Sequence, residues 1–429
     1  MKRIALSFVI VSFQSAALLG FQSDTVSKFS IDLQYRPRVE YRNGYRDLPI
    51  DSLGPAYFGT HRFRLGVTYN TSDIILRLSV QDVRLWGAYG TLSSNGSLSV
   101  YEAYADMKPS DDIRFRIGRQ GVELDNGRLF SASNWNQRGR AHDGLSLSYS
   151  GGSGLSSSLM SFFNQIEEHL FGTSYNSQGS SNYKWLGIHT LLVRPSTHFQ
   201  LYVQNSGDGH QSPTNEHVLY VRGTSGGRVT YSSSNMSGTL SSYYQFGHLP
   251  DGRSISAYYF QPEISYSTAS LTVRLGAEYM SGDNALEKAK ESKSFIPLYG
   301  VVWKFMGNMD YFISFPGDVG GGGLVNPYLS VLYNVNKRLM IRSDWHIFQL
   351  QNAVLDEQGK LLPQYLGAEL DLSATYRHSS FCVINGGVSV MRPSNSLEYM
   401  RKSKTDRMPL WCYVMITISP TVFEHARVE

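Results

Sequence analysis

The sequence predicts an all-β protein, a single transmembrane antiparallel β-barrel of about 18 strands. Three observations predict it. Segments such as SIDLQYRPRVEYR, Ser30 to Arg42, alternate apolar and ionic residues with a period of two, which gives a strand one greasy face and one ionic face. Connections alternate between tight turns and long loops, the pattern of barrels with short periplasmic turns and long extracellular loops. Aromatic and glycine content is high and charge content low, with 28 Tyr, 21 Phe and 40 Gly against 17% charged residues, the mix of many short strands joined by flexible turns.

The chain opens with MKRIALSFVIVSFQSAALLGFQSD. Two basic residues, an apolar run from Ile4 to Phe13 and then small residues read as a secretory signal peptide over residues 1–22, leaving 23–429 as one barrel domain. No later run reaches the roughly 18 apolar residues of a membrane helix, so a membrane-embedded mature chain is a barrel. The formal charge of +4 includes Lys2 and Arg3, so net charge names no partner.

Tight turns fall at Asn70–Asp73, Lys108–Asp112, Ser150–Gly154, Arg194–Thr197 and Asn334–Lys337. Between them lie longer connections at 43–60, 87–97, 121–141, 165–182, 206–215, 248–253, 283–321, 350–363 and 393–408. An even strand number with this sorting puts both termini on the periplasmic side. Within 216–247 one strand is read at 216–223 and another at 235–247, with Arg228 to Ser232 assignable to either. A short amphipathic helix is read at Asn284 to Ser292, and GDVGGGG, Gly317 to Gly323, as a flexible loop. The last strand is placed at Leu410–Ser419, followed by a polar tail. Cys382 and Cys412, the two cysteines, sit at different heights on neighbouring strands and are expected unpaired on the lipid side.

Parity then assigns the lumen. HRFRLGVTYN opposes Phe63, Leu65, Val67 and Tyr69 to Arg62, Arg64, Thr68 and Asn70, and DIRFRIGRQ opposes Ile113, Phe115 and Ile117 to Arg114 and Arg116. A charge facing lipid at mid-depth costs about 2 to 4 kcal/mol, so these arginines point inward. Arg36, Arg38, Arg42, Arg62, Arg64, Arg77, Arg114, Arg116 and Arg119 crowd the first five strands. Their expected lumenal acids are Asp32, Glu40, Glu102, Asp106, Asp344, Glu369 and Asp371. A basic wall concentrates anions, and guanidinium forks pair carboxylates bidentately.

The stretch GRQGVELDNGRLFSASNWNQRGRAHDG, Gly118 to Gly144, resembles the alginate export family of outer-membrane proteins. Gly118, Arg119 and Gln120, then Gly127 and Arg128, Trp135 and Asn136, and Gly139, Arg140, Asp143 and Gly144 carry the resemblance. It implies an arginine-lined constriction passing a polyuronate, with Arg119, Arg128, Arg140 and Asp143 as site residues and Glu102 and Asp106 as their inward partners. The expected function is an outer-membrane channel for an anionic polysaccharide, oligosaccharide or related acidic solute. Outer-membrane lipid and, for export, periplasmic machinery would be its partners. A general diffusion porin for small solutes is the alternative, with a non-transporting barrel, either enzyme or adhesin, behind it, and a soluble periplasmic sandwich last. Neither enzyme motifs nor metal-ligand spacing occur, so no cofactor, metal or nucleic-acid partner is expected.

Overall fold

Alternating side chains and short turns close the chain into a barrel. The computed structural model describes residues 26–88, 97–175, 182–215, 218–287 and 290–428; the expected signal peptide, residues 1–22, lies outside them. The strands are β1 (Val26–Asn43), β2 (Ala56–Asn70), β3 (Ile74–Leu85), β4 (Leu98–Ser110), β5 (Ile113–Gln120), β6 (His142–Ser150), β7 (Leu155–Phe163), β8 (Trp185–Val193) and β9 (Phe199–Gln211). They continue as β10 (Leu219–Ser232), β11 (Met236–Gly247), β12 (Ala257–Ser267), β13 (Leu271–Met280), β14 (Leu324–Asn334), β15 (Leu339–Leu350), β16 (Tyr365–Arg377), β17 (Cys382–Pro393), β18 (Leu410–Ile418) and β19 (Thr421–Val428). A single α-helix among the described residues, α1 (Asn395–Met400), is capped by the Ser394 hydroxyl, which accepts the Leu397 N–H.

From β1 to β18 each strand pairs antiparallel with its sequence neighbours, and β1 closes the ring. Its upper part pairs with β18, from Tyr35↔Ile418 to Asn43↔Leu410, and its lower part with β19, from Asp32↔Thr421 to Val26↔Val428. β18 and β19 are therefore one strand position interrupted at Ser419–Pro420, and the barrel has 18 positions with an extra segment on the last. The tail after Ser419, read as a polar tail beyond the last strand, is itself strand because Thr421–Val428 finds β1 alongside. Arg228 to Ser232 extend β10, paired to β9 and β11. Residues 285–287 form turn and bend rather than helix, with residues 288–289 outside the described set. The glycine run at 317–323 is a packed turn: Asp283 N–H donates to Gly321 O at 2.8 Å and Asn352 N–H to Gly322 O at 2.8 Å.

The outer face is the apolar one. Leu76 and Leu78 on β3, Ile117 on β5 and Leu159 on β7 are exposed, while Arg62, Ser79 and Asp106 on the opposite parity are fully buried. Apolar area turned outward and polar groups turned inward are the inverse of a soluble sandwich, and are what a lipid-facing wall requires. Cys382 and Cys412 are free and share the outward parity of Val388 and Val414, both exposed.

The apolar core lies inside the barrel, because the 121–141 and 281–323 loops fold back into the lumen. Val122, Leu129 and Phe130 from the first, and Phe295, Met306, Met309 and Phe312 from the second, are buried against inward wall residues such as Tyr259, Met280 and Phe348. Phe312 packs tilted against Phe348 at 4.6 Å and Tyr259 stacks on Phe295 at 5.5 Å between ring centroids. The two loops also pair with each other in parallel: Tyr299 N–H donates to Leu129 O at 2.9 Å, Ser131 N–H to Tyr299 O at 3.1 Å and Val301 N–H to Gly127 O at 3.1 Å. Only glycine fits at Gly300, where a Cβ would lie 1.8 Å from Arg128 O. Replacing it with Val should push the loops apart, costing about 1 to 3 kcal/mol of overpacking. Single channels of Gly300→Val should then show altered conductance and more flicker than the parent; an identical trace would contradict this pairing.

Candidate functional site

Most arginines of the first strands point inward, and three of them grip a loop. Arg36 on β1 is buried, and its guanidinium donates to Gln137 Oε1 at 3.0 Å and to the backbone oxygens of Asn134 at 2.5 Å, Trp135 at 3.3 Å and Asn136 at 2.9 Å. Arg62 on β2, opposite it in register, donates to Asn134 Oδ1 at 3.0 Å, Gln137 O at 3.3 Å and Gln34 Oε1. Arg38 donates to Trp135 O at 3.2 Å, pairs Glu40 at 2.9 Å and lies over the Trp135 ring. Five donors in a rigid fork suit a row of loop carbonyls as well as they suit a carboxylate. These three residues therefore hold the tip of the 121–141 loop against the wall.

The remaining sequence-predicted residues divide by partner. Arg64 donates to Gln81 Oε1 at 2.7 Å and packs over Tyr101. Arg77 pairs with Asp32 and approaches Glu102 at 4.0 Å, whose carboxylate accepts the Gly121 N–H. Arg116 chelates the buried Asp106 with bonds of 2.6 and 2.8 Å, while Arg114 stands 3.8 Å from it, half exposed. Arg114, Arg116 and the Lys108 side of β4 line a lumenal cavity of about 410 Å³.

Of the four residues singled out by motif, Arg119, Arg140 and Asp143 line one cavity of about 290 Å³ with His142 and Tyr183, and Arg128 lies apart from it. Arg128 is buried in the 121–141 loop and reaches the far wall, donating to Glu278 Oε1 on β13 at 2.7 Å and to Val301 O at 3.2 Å. Arg140 donates to Tyr299 O and Gly300 O, tying the two inward loops together. Arg119 and Asp143 pair at 2.5 Å at the upper ends of β5 and β6, on the parity of the exposed Ile117 and Leu145, so their backbone positions face outward. Glu369 is also an anchor. With Asp371 on β16, it accepts consecutive backbone N–H groups of the 281–323 loop, from Met309 at 2.7 Å and Asn308 at 3.2 Å. Gly307 makes this approach possible, since its Cβ would sit 2.5 Å from the Glu369 carboxyl carbon.

Besides Arg114, a second group of cations facing open lumen comes from the other side of the barrel. A cavity of about 270 Å³ is lined by Arg228, Arg274, Lys304 and Arg342, with Glu263 and Asp344 as its carboxylates. Arg228 pairs Asp125 at 2.6 Å and Arg342 pairs Asp344 at 2.6 Å. Lys304 donates to Asn126 O at 2.7 Å, and burial lowers its ammonium pKa below the ordinary value. The Arg274 side chain makes no hydrogen bond or ion pair among the described residues. Sequence reasoning passed over this group by weighting the first five strands, although the alternation LTVRLGAEYM already puts Arg274 on the face of Glu278. A smaller cavity of about 70 Å³ continues from it past Trp135, Trp303, Trp411 and Tyr413. Among the described residues no His, Cys, Asp and Glu cluster forms a metal site.

Comparison with known proteins turns on this architecture. No family model matches the sequence, and no curated protein aligns with it. Solved structures do match along nearly the whole chain. OccK9 (OpdG) of Pseudomonas aeruginosa superposes with a TM-score of 0.62 at 10% identity, over 92% of this chain and 98% of its own. OccAB4 of Acinetobacter baumannii gives 0.60 at 11%, over 94% and 99%. OpdK of Pseudomonas aeruginosa, solved with vanillate, gives 0.58 at 11%, over 94% and 100%. All three are outer-membrane porins of the Occ/OprD type, not enzymes. This chain shares their fold.

The resemblance to the alginate export family is thereby corrected. The barrels it superposes on belong to a different family, and the motif that carried the resemblance resolves into loop anchors and an outward ion pair. Spacing alone could not separate an arginine that meets solute from one that meets a carbonyl. The Arg128–Glu278 pair gives a direct test of anchoring. Removing one partner of a buried pair strands the other charge, at about 3 to 5 kcal/mol. Glu278→Ala should make the 121–141 loop markedly easier to cleave by protease in detergent, while Glu278→Gln, which keeps an oxygen for Arg128 and Tyr259, should do so less. Equal resistance in all three proteins would contradict an anchoring role.

Proposed function

We propose that the chain is an outer-membrane channel for small solutes, with a lumen that favours anions. The cavity walled by Arg228, Arg274, Lys304 and Arg342 against Glu263 and Asp344 is the observation that carries this reading. With Asp125 counted against Arg228, four cations face three carboxylates, and the surplus positive charge in a low-dielectric wall attracts and concentrates negative solutes. Arg274, without a protein partner, is the group freest to replace hydration lost by a passing carboxylate, and the neighbouring acids keep each contact weak enough for release. The inward loops support small over large solutes, because their side chains fill lumen that a polymer would need. The vanillate in the OpdK structure is a small carboxylate of the class this lumen suits. Lipid around the exposed apolar wall, and termini at the short-turn end facing the periplasm, complete the proposed setting.

Reversal potential in a planar bilayer under a salt gradient tests this. The parent should prefer anions, and Arg274→Ser combined with Lys304→Met should lower the anion-to-cation permeability ratio by about threefold without closing the pore. A parent without ion preference would instead favour a general diffusion pore in which the charges merely cancel. Arg119→Ser, removing a cation from the outward pair, should leave the ratio unchanged.

A further inference from the structure

The strand that closes the barrel leaves one backbone edge open. β19 is paired along one side only, to Val26–Asp32 of β1. On the other side β17 begins at Cys382, opposite Ile418, and the last bond there is Ser419 N–H to Phe381 O at 2.8 Å. From Thr421 to Val428, roughly 25 Å of strand, the second edge has no strand partner among the described residues. Unpaired backbone is not tolerated in hydrocarbon, so this segment stands in water below the bilayer. Its side chains from Thr421 to Arg427 are all exposed.

The turns on the open side of that edge carry one sign of charge. The adjoining turns contribute Lys337 and Arg338 between β14 and β15, and Arg377 at the end of β16, and β19 itself contributes Arg427. All four are exposed, and their side chains form no ion pair among the described residues. Arg377 N–H donates to Arg338 O at 2.7 Å, which sets these two turns side by side. Glu424, on β19 itself, pairs with Lys28 at 3.0 Å. On the paired side of β19, beyond β1, the turns that follow β2 and β4 carry Asp73, Asp111 and Asp112, so the basic turns mark the open side alone.

We propose that the β19 edge and its basic turns dock an extended acidic segment of a periplasmic protein by strand addition. Main-chain bonds to the open edge would supply affinity, and the basic turns would choose the partner and its register. The proposal rests on the outer-membrane reading above only for the compartment in which the partner is found. An open edge and charge of one sign point to the same occupant independently.

The full-length protein in nanodiscs of zwitterionic lipid provides the test. The probe is a labelled ten-residue peptide alternating Glu with Val or Thr, compared with a Lys version and with an acidic version carrying two central prolines. The acidic peptide should bind, the Lys version should not, and the proline version should lose binding because it cannot extend a ladder. Arg338→Glu with Arg377→Glu, both in exposed turns, should weaken binding by about tenfold or more. Equal binding of the acidic and proline peptides would overturn strand addition, and so would binding unaffected by the charge reversal. Failure of any peptide to bind would overturn the proposal. Capture of vesicles containing anionic lipid without peptide binding would assign the basic rim to lipid and overturn it as well. Conductance of the same preparation is read separately, so that loss of the channel reading and loss of the docking reading are distinguishable.

Discussion

A guanidinium buried in a barrel wall must be given partners, and in this protein the partners are the backbone oxygens of a folded-in loop. Arg36 and Arg62 lie opposite each other on β1 and β2 and together take up the oxygens of residues 134–137. Burying an unpaired charge is prohibitive, so the wall requires the loop as much as the loop requires the wall. The loop then presents Arg128 to Glu278 across the lumen and Arg140 to the 281–323 loop. The second loop is held in turn by Glu369 and Asp371. One chain of charge-assisted bonds crosses the barrel from β1 to β16.

That chain decides what the lumen can do. Where the loops pack, the interior is a dry core of Phe, Met and Tyr side chains, and where they do not, cavities remain beside Arg114 and beside Arg274. Arginines therefore serve two purposes in one protein. Those satisfied by carbonyls set the size of the passage, and those left facing water set its charge. The unpaired β19 edge lies outside this system, at the far end of the closing strand, where water replaces lipid.

Period-two alternation made the barrel legible, because a two-residue repeat with ionic residues on one face has few stable settings. Loop lengths gave the direction of the strands for the same reason. What escaped was everything decided by contacts distant in sequence. Nothing near Arg128 announces Glu278, 150 residues away, and Arg119 continues an arginine run while its parity has already turned outward. The tail after Ser419 reads as lying beyond the last strand because its pairing partner is at the other end of the chain. Arg274 was legible by parity but was outweighed by the crowding of arginines in the first five strands.

The most direct measurement of this account is single-channel conductance and ion selectivity of Arg36→Ala combined with Arg62→Ala, set against the parent in the same lipid. Released from the wall, the 121–141 loop should leave a larger and noisier conductance with the preference for anions largely kept, since the cations beside Arg274 remain. An unchanged conductance with the anion preference abolished would contradict it, and would return these two arginines to the solute path.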